Sequence, residues 1–199
     1  MQNDKENTVQ TESKSAFRKH FTGRRIVFMA VFVALSYAVS FLEFPIFPVT
    51  PYLKLDFSNA FILLITFLLG PIEGVVVCIL KELLRFIGSN SSGVGEIANV
   101  VVNSSFILLP GILYRFKKGF KVVIPALGVA CIIGTCMALV VNRFVTFPLY
   151  WGDGATAMYN DVFWLIVAFN LIKTVSVSVI TLLLYKRLSK VLKKIEHIE

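Results

Sequence analysis

Apolar residues run along this chain in six long blocks separated by short polar breaks. The blocks cover residues 26–44, 55–69, 72–87, 94–116, 122–147 and 162–185. A helix needs roughly 20 apolar residues to cross a bilayer, with a range of about 17–25. The pattern predicts an all-α integral membrane protein with six transmembrane helices. The first block closes at Pro45, Pro48 and Pro51, the second at Gly70-Pro71, the third at GSNSSG and the fifth at Pro148. Such residues end or interrupt helices. The second and third blocks are short, so tilt or partial burial is expected. Residues 1–22 are polar and read as a disordered N-terminal tail. Residues 23–192 form the six-helix membrane domain and 193–199 a cytoplasmic C-terminal tail.

Composition agrees with the pattern. The chain of 199 residues is 56% hydrophobic, above the roughly 45–50% of soluble domains. The net charge of +8 does not indicate nucleic acid, because its placement is that of a membrane protein. Arg18, Lys19, Arg24 and Arg25 precede the first block. Arg115, Lys117, Lys118 and Lys121 separate the fourth and fifth, and Lys186, Arg187, Lys190, Lys193 and Lys194 follow the sixth. The positive-inside rule puts all three groups, and both termini, in the cytoplasm of a multi-pass cell-membrane protein. The connections 45–54, 88–93 and 148–161 then face outward. Cys78, Cys131 and Cys136 lie inside apolar blocks with no metal or disulfide spacing, and read as buried, inert thiols.

Polar residues inside the blocks are the candidates for function. A charge at depth in a bilayer costs about 3 kcal/mol on insertion scales, yet Asn170 and Lys173 interrupt the sixth block. Their i, i+3 spacing puts them on one helix face. At 1.5 Å per residue they lie roughly 12 and 17 Å along the sixth span, and Asn142 lies about 8 Å below the outer end of the fifth. Polar groups at similar depth on separate spans suggest a pocket open to the outside. An Asn amide suits the alternating carbonyl and N–H edge of a pyrimidine-like ring, and Lys adds donors. Phe144, Phe147, Tyr150, Trp164 and Phe169 are candidates to cover a flat ring. The alternatives are interhelical hydrogen bonding by Asn142 and Asn170 and snorkelling by Lys173.

The loop FPVTPYLKLDFSN is a second concentration. Tyr52, Leu53, Lys54 and Asp56 either cap the pocket or form an interfacial belt in which Lys54 pairs with Asp56. In the third block Lys81 and Arg85, at i, i+4, need an acid, for which Glu82 or Glu96 is the natural partner. Asn99 and Asn103 share a face of the fourth span, and Asn99 is a candidate for the pocket. In the first span Ala30, Ala34 and Ala38 form a four-residue stripe that admits close helix approach, within the chain or from another protein. GxxxxGK[ST], HExxH, GxSxG and internal histidine are all missing. The chain therefore does not bind ATP by a P-loop and shows no catalytic pair. No metal site or cofactor is expected.

Five stretches then resemble one family in the same order: YLKLDFSN, FLLGPIEGVVVCILKELL, GVGEIAN, NRFVTFPLYWG and FNLIKTVSVSVITLLLYKRL. It is the riboflavin-specific substrate-binding S component of energy-coupling factor (ECF) transporters, and the resemblance covers about residues 26–192. It implies a six-helix subunit that captures a vitamin from outside and works with a transmembrane coupling subunit and two cytoplasmic ATPases. It implies that Asn142, Asn170 and Lys173 contact the flavin ring. It further implies that the loop 47–56 closes over the ligand, and that Ala30, Ala34 and Ala38 meet the coupling subunit. Three other readings remain: the same fold for another vitamin, an intramembrane enzyme using Glu82 or Glu96, and a structural helix-bundle partner.

Overall fold

The structure, a computed structural model, describes residues 22–88 and 93–196, with side chains to 187. The N-terminal tail and most of the GSNSSG turn lie outside the described residues. Every apolar block becomes a helix, because a helix satisfies its own backbone hydrogen bonds where no water can. They are α1 (Gly23–Ser40), α2 (Asn59–Leu69), α3 (Pro71–Ile87), α4 (Val94–Phe116), α5 (Phe120–Val141) and, after a short α6 (Phe147–Trp151), α7 (Ala155–Glu196). Three helical stretches are long and apolar enough to cross a membrane: α1, α4 and the run from Phe120 to Arg187.

The shortest main helix, α2, forms the centre of the molecule. Its Ala60, Ile62, Leu63, Leu64 and Ile65 are all buried, and it packs against α1, α3, α4 and α7. A helix apolar on every side is stable only when surrounded. Gly70, at φ 133°, is the single-residue link to Pro71 at the start of α3; only glycine takes that backbone conformation without strain. Across this link a Cβ on Gly74 would overlap the Thr66 hydroxyl, and one on Gly111 of α4 would overlap the Thr66 methyl. Bare backbone thus sets the spacing of α2, α3 and α4.

The fifth block does not break at Pro148, contrary to the sequence expectation. The helix widens into a π-turn over Asn142–Thr146, where the Phe147 N–H donates to the Asn142 carbonyl, and continues to Trp151. Pro148 has no N–H to donate and its ring crowds the carbonyl four residues back; a wider turn relieves both. The expected outer connection 148–161 is therefore mostly helical. The chain reverses at Gly152–Gly154, with Gly152 at φ 52°. From there α7 runs antiparallel to α5. Tyr159 bonds Leu139, Gly134 approaches Thr174, Cys131 meets Ser178, and Phe120 stacks edge-on to Tyr185. Because α7 begins at Ala155, Asn170 and Lys173 lie about 22 and 27 Å along it at 1.5 Å per residue, farther from the helix start than the sequence suggested. Cys78 and Cys131 are buried, but Cys136 is exposed, correcting that expectation.

Between α1 and α2 the proline-rich loop carries a feature absent from the sequence reading. Two-residue strands, β1 (Phe44–Pro45) and β2 (Lys54–Leu55), pair antiparallel with Phe44 opposite Leu55. The pair folds the loop back over one end of the bundle. Leu53 and Leu55 join Phe147, Tyr159, Val162, Ile166 and Phe169 in a second apolar cluster there.

Candidate ligand-binding site

A cavity of about 520 Å³ opens beneath that folded loop, within the roughly 300–1,000 Å³ common for small-molecule sites. Its lining includes Asn142, Asn170, Lys173, Tyr52, Leu53, Lys54, Asp56 and Asn99. These residues come from the π-turn, α7, the loop and α4.

The two asparagines behave alike. Asn142 Nδ2 donates to the Ala138 carbonyl at 2.7 Å, and Asn170 Nδ2 to the Ile166 carbonyl at 2.8 Å. Each bond goes four residues back along the residue's own helix and fixes the amide's orientation. Neither amide bonds across to another helix among the described residues. The interhelical bond is made instead by Asn59 Nδ2, which donates to Asn103 Oδ1 at 2.8 Å. The α4 asparagines thus divide: Asn103 is structural and Asn99 lines the cavity.

Lys173 is 9% exposed, and that exposure is to the cavity. Among the described residues it makes no hydrogen bond and no ion pair within 4.0 Å. The charges acting on it are those of Asp56, Lys81, Glu82 and Arg85. Its ammonium is therefore a buried donor whose hydrogen-bonding capacity is open toward the cavity.

A charge network holds the loop in place. Lys81, fully buried, donates to Asp56 Oδ2 at 3.1 Å and to Glu82 Oε1 at 2.8 Å. Asp56 also accepts from the Ser58 N–H at 2.7 Å and the Ser58 hydroxyl at 2.6 Å, fixing the turn that enters α2. Arg85 donates to Glu43 Oε2 at 2.8 Å and to the Ser40 carbonyl at 2.9 Å. Lys54 bonds Glu43 Oε1 at 2.9 Å. The alternative in which Lys54 pairs with Asp56 is therefore not the one formed. Glu82 serves Lys81 as expected, but the partner of Arg85 is Glu43.

Only two of the five aromatic candidates line the cavity: Tyr150 and Phe169. Phe147 is buried in the core, and Phe144 and Trp164 are 73% and 77% exposed on the outside. Tyr52 packs edge-on to Phe147 and Trp151, and burial pushes its phenol pKa up. Sequence reasoning missed Tyr37, Arg85, Glu96 and Thr146 as lining residues. For Thr146 the signal was present, since it follows Asn142 by four residues; its hydroxyl is buried with no hydrogen-bond partner. Ala30, Ala34 and Ala38 are exposed on α1, so no helix among the described residues covers the stripe. Among the described residues no group of His, Cys, Asp and Glu is arranged to hold a metal.

Comparison with known proteins adds an independent observation. Residues 24–185 match the family of ECF transporter substrate-specific components. The chain is 35% identical over 177 residues to the riboflavin transporter RibU of Staphylococcus aureus (strain TCH60), spanning 86% of this chain and 94% of that one. It is 27% identical over 179 residues to the riboflavin transporter FmnP of Bacillus subtilis (strain 168), spanning 83% and 92%. Its fold matches a solved S component of a bacterial ECF transporter with a TM-score of 0.75 at 35% identity, over 85% of this chain and 98% of that one. With a cavity roofed by its first loop and walled by its last helices, this chain belongs to the substrate-specific components of ECF transporters.

Proposed function

We propose that this chain is the riboflavin-binding subunit of an ECF vitamin transporter, capturing the vitamin from outside for delivery inward. The observation that carries the reading is the convergence of Asn142, Asn170 and Lys173 on one cavity, in a chain whose relatives are riboflavin transporters. The flavin's pyrimidine edge alternates carbonyl and N–H, which the remaining donor and acceptor capacity of two fixed amides matches. Lys173 donates to a ring carbonyl or ring nitrogen, and the ligand supplies the acceptor that this buried cation lacks. Tyr150 and Phe169 flank the ring, while Lys54, Asp56, Arg85, Glu96 and Asn99 offer a polar wall to the ribityl hydroxyls.

In this reading α1, α2, α3, α4, α5 with its α6 extension, and α7 are six spans of a multi-pass cell-membrane protein. The charge distribution supports cytoplasmic termini. Arg24, Arg25, Arg115, Lys117, Lys118, Lys121, Lys186 and Arg187 gather at the end away from the cavity, while Lys54, Lys81 and Arg85 at the cavity end are each paired with Glu43, Asp56 or Glu82. The exposed stripe of Ala30, Ala34 and Ala38 is the docking face for the transmembrane coupling subunit, and two ATP-binding subunits drive release. Riboflavin is cargo, and the chain needs no cofactor of its own. Protein purified without added ligand is expected to carry a flavin absorption band, or once stripped to quench riboflavin fluorescence on titration. A preparation that does neither would overturn the reading.

A further inference from the structure

Asn142 sits in a turn that needs outside support. Single π-turns are rare departures from regular helix. Moving the extra residue of such a turn along the chain rotates the residues it passes by about 100° each. A shift of one position would swing the Asn142 amide away from the cavity. Two adjacent stripes run along this segment. Ala138, Asn142, Thr146 and Tyr150, spaced by four, line the cavity. Leu139, Arg143 and Phe147, also spaced by four, all meet one residue of α7, Tyr159. The Tyr159 hydroxyl donates to the Leu139 carbonyl at 3.3 Å, and its ring carries the Arg143 guanidinium at 5.3 Å from the centroid. The edge-to-face contact with Phe147 has centroids 5.4 Å apart. Tyr159 is 7% exposed and does not line the cavity.

We propose that Tyr159, together with Arg143, is a positioning device that locks the π-turn in register and thereby aims Asn142 at the ligand. The cation over the aromatic face supplies attraction in a low-dielectric setting. The hydroxyl adds only a long hydrogen bond to the last turn of α5, so the ring carries most of the contact, and Phe147 closes the far side. Contact at three successive stripe positions fixes both the rotation and the location of the wide turn. The inference rests on the riboflavin reading for its ligand, but the register it describes belongs to the chain itself.

The test is a double-mutant cycle on the purified full chain, read by quenching of riboflavin fluorescence. Tyr159→Leu is expected to weaken binding roughly tenfold, while Tyr159→Phe and Arg143→Lys, which keep ring and cation, retain most of it. Tyr159→Leu added to Asn142→Ala should cost almost nothing more, whereas added to Asn170→Ala it should cost its full factor. General loosening of the fold would instead multiply in both backgrounds. Wild-type affinity in Tyr159→Leu, or full multiplication with Asn142→Ala, would overturn the proposal. A ligand-free arm separates this from the riboflavin reading. In Cys136→Ser protein, Asn142→Cys should react with a small methanethiosulfonate reagent, and Tyr159→Leu should slow that reaction markedly. Equal rates would sink the positioning role even in a chain that bound no flavin.

Discussion

Lys54 and Asp56 stand two residues apart and turn to opposite partners: Lys54 bonds Glu43 at 2.9 Å, while Asp56 accepts from Lys81 at 3.1 Å. Strand alternation would put both on one face, but β2 ends at Leu55. Asp56 then drops beneath the loop while Lys54 stays at its rim, half-exposed. One end of the loop is tied to α3 through a buried pair and the other through Glu43 and Arg85.

The buried pair sets a first prediction. Lys81→Met leaves Asp56 and Glu82 as carboxylates without their cation. Breaking a buried pair from one side costs about 3–5 kcal/mol. Thermal unfolding in detergent should show a large fall in Tm. Adding Asp56→Asn and Glu82→Gln to Lys81→Met should restore much of it.

Lys173 predicts the reverse combination. Its ammonium has no hydrogen-bond partner among the described residues, so Lys173→Met should leave ligand-free stability unchanged or higher. A hydrogen bond from a charged group contributes about 1.5–3 kcal/mol. Riboflavin affinity should therefore fall by roughly ten- to a hundredfold. Titration and thermal melts on the same preparation check both signs.

At Gly74 any side chain meets Thr66 across the α2–α3 contact. Gly74→Ala should destabilise by about 1–3 kcal/mol through overpacking. Because Gly74 does not line the cavity, riboflavin affinity of the folded fraction should stay near wild type. Circular dichroism melts paired with ligand titration separate the two effects.

The α1 stripe makes a prediction about partners. Ala34→Leu fills the close-approach face on an exposed position, so the isolated chain should fold and bind riboflavin as before. Uptake by cells expressing it with the coupling and ATPase subunits should drop sharply. Uptake at the wild-type rate would rule out that face as the docking surface.

Helix boundaries were legible wherever the chain's own chemistry ends a helix. The fourth block, 94–116, coincides with α4, since Gly93 and the polar Lys117-Lys118-Gly119 turn fix its ends locally. The first and second blocks overran, at 44 and 55, because Phe41, Leu42, Phe44 and Leu55 are apolar and read as extensions of the helices, whereas Phe44 and Leu55 belong to a strand pair. It forms only when two segments ten residues apart meet. Pro148 misled for a related reason. Its local effect is to break a helix, but here the helix widens into a π-turn and continues to Trp151.

The sequence by itself determined the membrane class, the order and approximate extent of the helices, and the polar residues that hydrocarbon would not tolerate without a use. Those follow from hydrophobicity, helical period and the cost of burying charge, which are local properties of a chain. The tertiary structure alone decided the partners: Lys81 for Asp56, Glu43 for Lys54 and Arg85, Asn59 for Asn103, and Tyr159 for the turn that carries Asn142. Each of those contacts joins residues from different elements. Their distances depend on how helices pack, and no local pattern encodes that.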